Sequence, residues 1–229
     1  MKKIGLIGGL TYVSTLEYYR FINELVNKKA GGSEAAEIIL YSVNFGRIKK
    51  LTEVGDWVSI SKIICAAAKA VEKAGADCIM IGANTMHKIA DDVQRSVSIP
   101  VIHIADAVAE VIKNGNLKTV ALLGTKYTMQ LDFYKDRLAA KGIQVIIPGE
   151  EDVEYINTTI YSEFSRNIFT NEAKEKYLVI IDKLQNSGAE GVILGCTEIP
   201  LLISQSDCQV TLFDTAKIHS QAAVDYALS

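Results

Sequence analysis

Short apolar runs alternate with longer amphipathic stretches along the whole chain. The runs occupy residues 4–7, 38–43, 78–81, 101–104, 120–123, 145–147, 192–194 and 210–213. They are rich in Val and Ile, as strands buried on both faces are. Between most of them lie stretches at 14–29, 57–74, 129–141 and 172–187 where apolar residues recur with a helical period. Buried strands separated by amphipathic helices predict an α/β protein with parallel sheets flanked by helices.

The pattern also repeats. Ile4-Gly5-Leu6-Ile7-Gly8-Gly9 matches Val120-Ala121-Leu122-Leu123-Gly124-Thr125 at an offset of 116 residues, with Tyr18 answering Tyr134 in the helix that follows. Gly75-Ala76-Asp77 through Gly82-Ala83-Asn84-Thr85 matches Gly188-Ala189-Glu190 through Gly195-Cys196-Thr197-Glu198 at an offset of 113. Two matches at nearly one offset indicate internal duplication. They predict two pseudo-symmetric lobes, residues 1–97 with 210–229 and residues 98–209, with an active site in the cleft between them. Ligands of open α/β sheets bind beyond the carboxyl ends of the strands. The small-residue loops Gly8-Gly9, Gly82 to Thr85, Gly124-Thr125 and Gly195 to Glu198 are therefore the candidate ligand loops. Small residues there let backbone amides approach an anion.

Composition narrows the function. The chain has 229 residues, 49% hydrophobic and 22% charged, with a formal net charge of -3. No basic stripe argues for nucleic acid. No apolar run reaches the roughly 18 residues of a membrane helix. The opening Met1-Lys2-Lys3 followed by an apolar run is too short for a signal peptide and reads as the first strand. Four widely spaced cysteines, Cys65, Cys78, Cys196 and Cys208, suit a reduced cytoplasmic protein rather than a disulfide framework. Three dispersed histidines give no metal-ligand spacing, and the glycines near residue 8 do not form a dinucleotide fingerprint. The acidic stretch 150–154 reads as a solvated loop.

Cys196 carries the sharpest chemical signal. It follows a buried strand and precedes a helix start, a position that favours the thiolate. Cys65 and Cys78 read as core residues and Cys208 as incidental. The duplication pairs Cys196 with Ala83, which can neither give nor take a proton. Asn84, Thr85, Thr125 and Thr128 suit either ligand contact or helix capping. Glu198 could orient the thiol or complement a helix start. His87 could tune the site, His103 could pair with Asp106, and His219 reads as structural.

Together, Gly8-Gly9, Asn84-Thr85-Met86-His87, Leu123-Gly124-Thr125, Gly195-Cys196-Thr197-Glu198 and Phe213-Asp214-Thr215 resemble the aspartate/glutamate racemase family along essentially the whole chain. The resemblance implies a cofactor-independent, usually dimeric racemase in which two cysteines flank the substrate α-carbon. It implies a small amino-acid substrate, with no metal, nucleic acid or membrane partner. Cys196 matches the second family cysteine, which serves the L-antipode. Ala83 stands at the first; close members carry threonine there, and alanine goes further. By the same resemblance Asn84, Thr85 and Thr197 cradle the α-carboxylate and amine, with Thr125, Thr128 and Gly9 beside them. Arg47 aligns with an arginine that holds the distal carboxylate in aspartate-specific relatives. The expected activity is racemisation of aspartate or glutamate, impaired or one-sided because of Ala83. Two alternatives stay open: a single-cysteine decarboxylase of the arylmalonate type, and a catalytically silent amino-acid-binding protein.

Overall fold

Strand β1 (Ile4–Gly8) is buried at every position and occupies the centre of a three-stranded parallel sheet. Its neighbours are β2 (Ile38–Ser42) and β3 (Cys78–Ile81), with Ile4 opposite Ile38 on one side and Cys78 on the other. Helices α1 (Tyr12–Ala30), α2 (Phe45–Glu53), α3 (Trp57–Lys73) and α4 (Ala90–Ser96) complete the crossovers. Local sequence sets their ends. The Thr11 hydroxyl accepts the Ser14 amide at 3.1 Å to start α1, and Gly31, at φ 79°, ends it. Asp56 starts α3 by accepting the Ser59 amide at 3.0 Å. The apolar face of α3, with Ile60, Ile64, Ala67 and Val71, packs with Ile7, Ile79 and Ile81 of the sheet. At about 25 cal/mol per Å² of apolar surface removed from water, this face is what holds α3 in place.

The computed structural model describes residues 1–229 and divides into two compact units, 1–104 with 219–229, and 105–218. The second unit repeats the order of the first. Strand β4 (Thr119–Gly124) lies between β5 (Gln144–Ile146) and β6 (Gly191–Gly195), all parallel, and β7 (Thr211–Asp214) extends the sheet beyond β6. Its helices are α5 (Ile104–Asn114), α6 (Lys126–Gln130), α7 (Asp132–Ala139), α8 (Glu150–Ser162), α9 (Asn171–Asn186) and α10 (Ile199–Leu202). The last helix, α11 (Thr215–Leu228), begins in the second unit and carries the chain back into the first. No helix is long and apolar enough to cross a membrane.

Five expectations need correction. Residues 210–218 belong to the second unit, not the first, because β7 pairs with β6 from Gly191 opposite Thr211 to Leu194 opposite Asp214. The division also falls after Ile104 rather than at residue 97. The run 101–104 is no strand: only Val101 bridges to Ile79, and α5 has begun by Ile104. The helix expected over 129–141 is interrupted at Leu131, whose extended backbone (ψ 155°) closes α6 and opens α7. The acidic stretch is the first turn of α8, where carboxylates complement the helix dipole. Within it Asp152 is buried and accepts from Lys183 at 2.8 Å and Lys176 at 3.1 Å, which fixes α8 against α9. Burial pushes the Asp152 carboxyl up, but the two lysines outweigh it and hold it below its ordinary value.

Gly9 shows why the first strand-end loop needs glycine. Its φ is +71°, and a Cβ there would lie 2.2 Å from the Val43 carbonyl oxygen. The Gly9 amide donates to Thr15 Oγ1 at 2.8 Å. Gly9 thus shapes the turn, and its N–H is already used within the fold.

Candidate active site

The loop after β6 brings Cys196, Thr197 and Glu198 together, all three buried. Glu198 Oε2 accepts two hydrogen bonds, from Cys196 Sγ at 3.0 Å and from Thr197 Oγ1 at 3.0 Å. One carboxylate oxygen therefore orients both neighbouring side chains. Of the two roles open to Glu198, orienting the thiol and complementing a helix start, its side chain takes the first, and it makes no capping bond to α10.

The state of the thiol differs from expectation. Burial pushes the Cys196 thiol well above its ordinary value, and the nearby Glu198 carboxylate pushes it further. The amides of Glu198 and Ile199 act in the expected direction, towards the thiolate, and are outweighed. The helix that follows, α10, has only four residues, too short for much of a macrodipole. Burial and the Glu198 carboxylate thus both favour the protonated thiol at Cys196.

Other residues of the second unit make separate contacts. Thr125 caps α6, its Oγ1 accepting the Thr128 amide at 3.3 Å and lying 3.2 Å from Thr128 Oγ1. Thr128 is fully buried. Tyr177 of α9 was not singled out from sequence, because it looks like any apolar position of an amphipathic helix. It is fully buried, its hydroxyl donates to the Ile156 carbonyl at 3.4 Å, and its phenol is pushed well up by burial and then by the nearness of Cys196. Asp106 accepts from Arg137 at 2.7 Å.

In the first unit the equivalent loop follows β3. Ala83 is half-buried against the apolar core, and Asn84 and Thr85 are buried. Asn84 opens the short 3-10 turn Thr85–Ile89 without capping it by its side chain. The loop backbone is fixed at two carbonyls. Ser14 Oγ donates to the Gly82 oxygen at 3.1 Å, and His87 Nδ1 lies 2.8 Å from the Ala83 oxygen. Arg47 is exposed at the start of α2, with its backbone N–H capped by Asn44 Oδ1 at 3.1 Å.

All three histidines converge in this unit, which their positions in sequence do not suggest. The His87 ring lies 4.6 Å from His103 and 5.5 Å from His219, edge-on to both. His219 is fully buried between Tyr18 and the Ile102 carbonyl, and burial pushes its ring down to about 4. Cys78 is buried in β3 with its thiol pushed up to about 11 by burial, as a core cysteine should be. Cys65 and Cys208 are half-buried. No grouping of His, Cys, Asp or Glu is arranged to hold a metal ion.

The fold has known counterparts. The Asp/Glu/hydantoin racemase family model matches residues 7–223. A candidate Asp/Glu racemase from Yersinia pestis is 45% identical in sequence, and its crystal structure superposes with a TM-score of 0.92 over 100% of both chains. An aspartate racemase homologue from Pyrococcus horikoshii is 43% identical, with a TM-score of 0.87 over 100% of both chains. The broad specificity amino-acid racemase RacX of Bacillus subtilis is 22% identical across 99% of this chain and 98% of its own. With a family match running from β1 into α11, the chain belongs to the Asp/Glu/hydantoin racemase family.

Proposed function

We propose that the protein is a cofactor-independent amino-acid racemase acting on aspartate or glutamate, with Cys196 transferring the α-proton. The observation that carries this reading is the thiol–carboxylate pair, Cys196 Sγ to Glu198 Oε2 at 3.0 Å, at a strand end of a racemase-family fold. To remove the α-proton, Cys196 first passes its own proton to Glu198 and then acts as thiolate. To deliver one, it donates directly as the thiol it already is. A negative charge builds on the substrate carboxylate as the carbanion forms, and hydrogen-bond donors stabilise it there. We assign that contact to Asn84, Thr85 and Thr197, with Thr125, Thr128 and the Gly9 turn as supporting groups and Arg47 for the distal carboxylate. Ala83, at the place of the first proton-transfer residue, supplies no proton. The second face is then served by water, and proton exchange outpaces inversion.

The test is deuterium uptake at Cα in deuterated water, followed for both antipodes of aspartate and glutamate. Faster exchange from the L-antipode than inversion is the expected result. If no antipode exchanges, the reading fails: carbon dioxide release from a malonate would then point to a decarboxylase, and tight binding without turnover to a binding protein.

A further inference from the structure

The imidazole of His87 has no role in the proton transfer above, yet its geometry is over-determined. Its Nδ1 lies 2.8 Å from the carbonyl oxygen of Ala83. A carbonyl only accepts, so Nδ1 must carry the hydrogen. On the other side, the Ile104 amide donates to His87 Nε2 at 3.2 Å. An N–H can only donate, so Nε2 must be the bare nitrogen. The two bonds together fix the neutral Nδ1–H tautomer. The rings of His103 and His219 pack edge-on against His87 and hinder its rotation. His219 shows the opposite pattern, with Nε2 2.7 Å from the Ile102 carbonyl and Nδ1 3.0 Å from the Tyr18 hydroxyl, which makes it the Nε2–H tautomer.

We infer that His87 is a positioning residue: its Nδ1–H clamps the Ala83 carbonyl and so sets the strand-end loop that carries Asn84 and Thr85. The clamp spans little of the sequence but ties the loop to a distant segment. Ile104 is the last residue before the chain leaves the first unit, and His219 is the first after it returns. The Ala83 peptide is thus keyed to both crossings through hydrogen bonds and ring contacts within that unit. Loss of the His87 donor leaves a part-buried carbonyl without that partner and lets the loop turn, while the rest of the unit keeps its core.

Two substitutions separate the two bonds. His87→Asn places an amide N–H where Nδ1 stands and keeps the donor to Ala83. His87→Gln reaches further, keeps an acceptor for the Ile104 amide and loses the Ala83 donor. Nitrogen-15 NMR of the imidazoles is the direct test on the intact chain, and three histidines make assignment simple. Nδ1–H for His87 with Nε2–H for His219 is expected, and Nε2–H for His87 overturns the inference. The kinetic arm rests on the racemase reading. There His87→Asn should keep kcat/KM for α-proton exchange within about threefold, while His87→Gln should lose about tenfold or more with its circular dichroism unchanged. Equal rates for the two variants also overturn it. The tautomer result needs no turnover, so an inactive wild type defeats only the racemase reading.

Discussion

Cys196→Ser is expected to lower α-proton exchange by about a thousandfold, the scale of a well-placed acid/base group. A serine hydroxyl fills nearly the same space and can still donate to Glu198 Oε2, so the loop keeps its shape. What changes is acidity. The thiol gives up its proton far more readily than a hydroxyl, even when burial and Glu198 push it upward. The companion change is Glu198→Gln, which removes a negative charge beside the sulfur. A carboxylate disfavours a neighbouring thiolate, so the neutral amide lowers the thiol's titration point. The alkaline rise of the exchange rate should therefore move to lower pH, while the maximal rate falls because the proton acceptor is gone. Deuterium incorporation followed from neutral pH upward would read both. Retention of exchange by the serine variant would remove Cys196 from the chemistry.

Ala83→Cys should have the second largest effect, in the opposite direction. Ala83 packs half-buried against the first unit's core, on a loop whose backbone is held at Gly82 and at its own carbonyl. The substitution adds a single sulfur to a side chain whose backbone is already fixed. If this station is the missing second acid, inversion should rise by about a hundredfold while exchange from the L-antipode changes little. Polarimetry alongside deuterium incorporation gives the ratio directly. An unchanged ratio would show that the first unit's loop no longer presents a side chain to the substrate.

Much of the fold is legible in the sequence because buried parallel strands are nearly pure apolar runs. Cys78 to Ile81 is such a run and is a strand to the residue. The run at 101–104 is just as apolar, but the backbone pairs only at Val101 before α5 takes over, and apolarity alone cannot distinguish the two. The acidic stretch misleads for a different reason. Asp152 is buried by two lysines that lie more than twenty positions further along, on α9. The candidate site divides the same way. Cys196 stands out because a short motif surrounds it. Its protonation does not, since that depends on how deeply the loop is buried and where the Glu198 side chain points. The histidines are the extreme case: positions 87, 103 and 219 meet only because the chain leaves the first unit and returns to it.

The pairing of Cys196 with Glu198 has a bearing on how the protein survives oxidants. Peroxides and alkylating agents both attack the thiolate; alkylation caps it as a thioether, and peroxides oxidise it from sulfenic to irreversible sulfinic and sulfonic acids. A buried thiol kept protonated by an adjacent carboxylate offers them little anion to attack. The half-buried Cys65 and Cys208 sit nearer solvent and should be modified first, as mass spectrometry of briefly alkylated native protein would record. Under the proposed chemistry, the contact that readies the sulfur to give a proton also shelters it, and exposure to such reagents is confined mainly to turnover, when the thiolate forms.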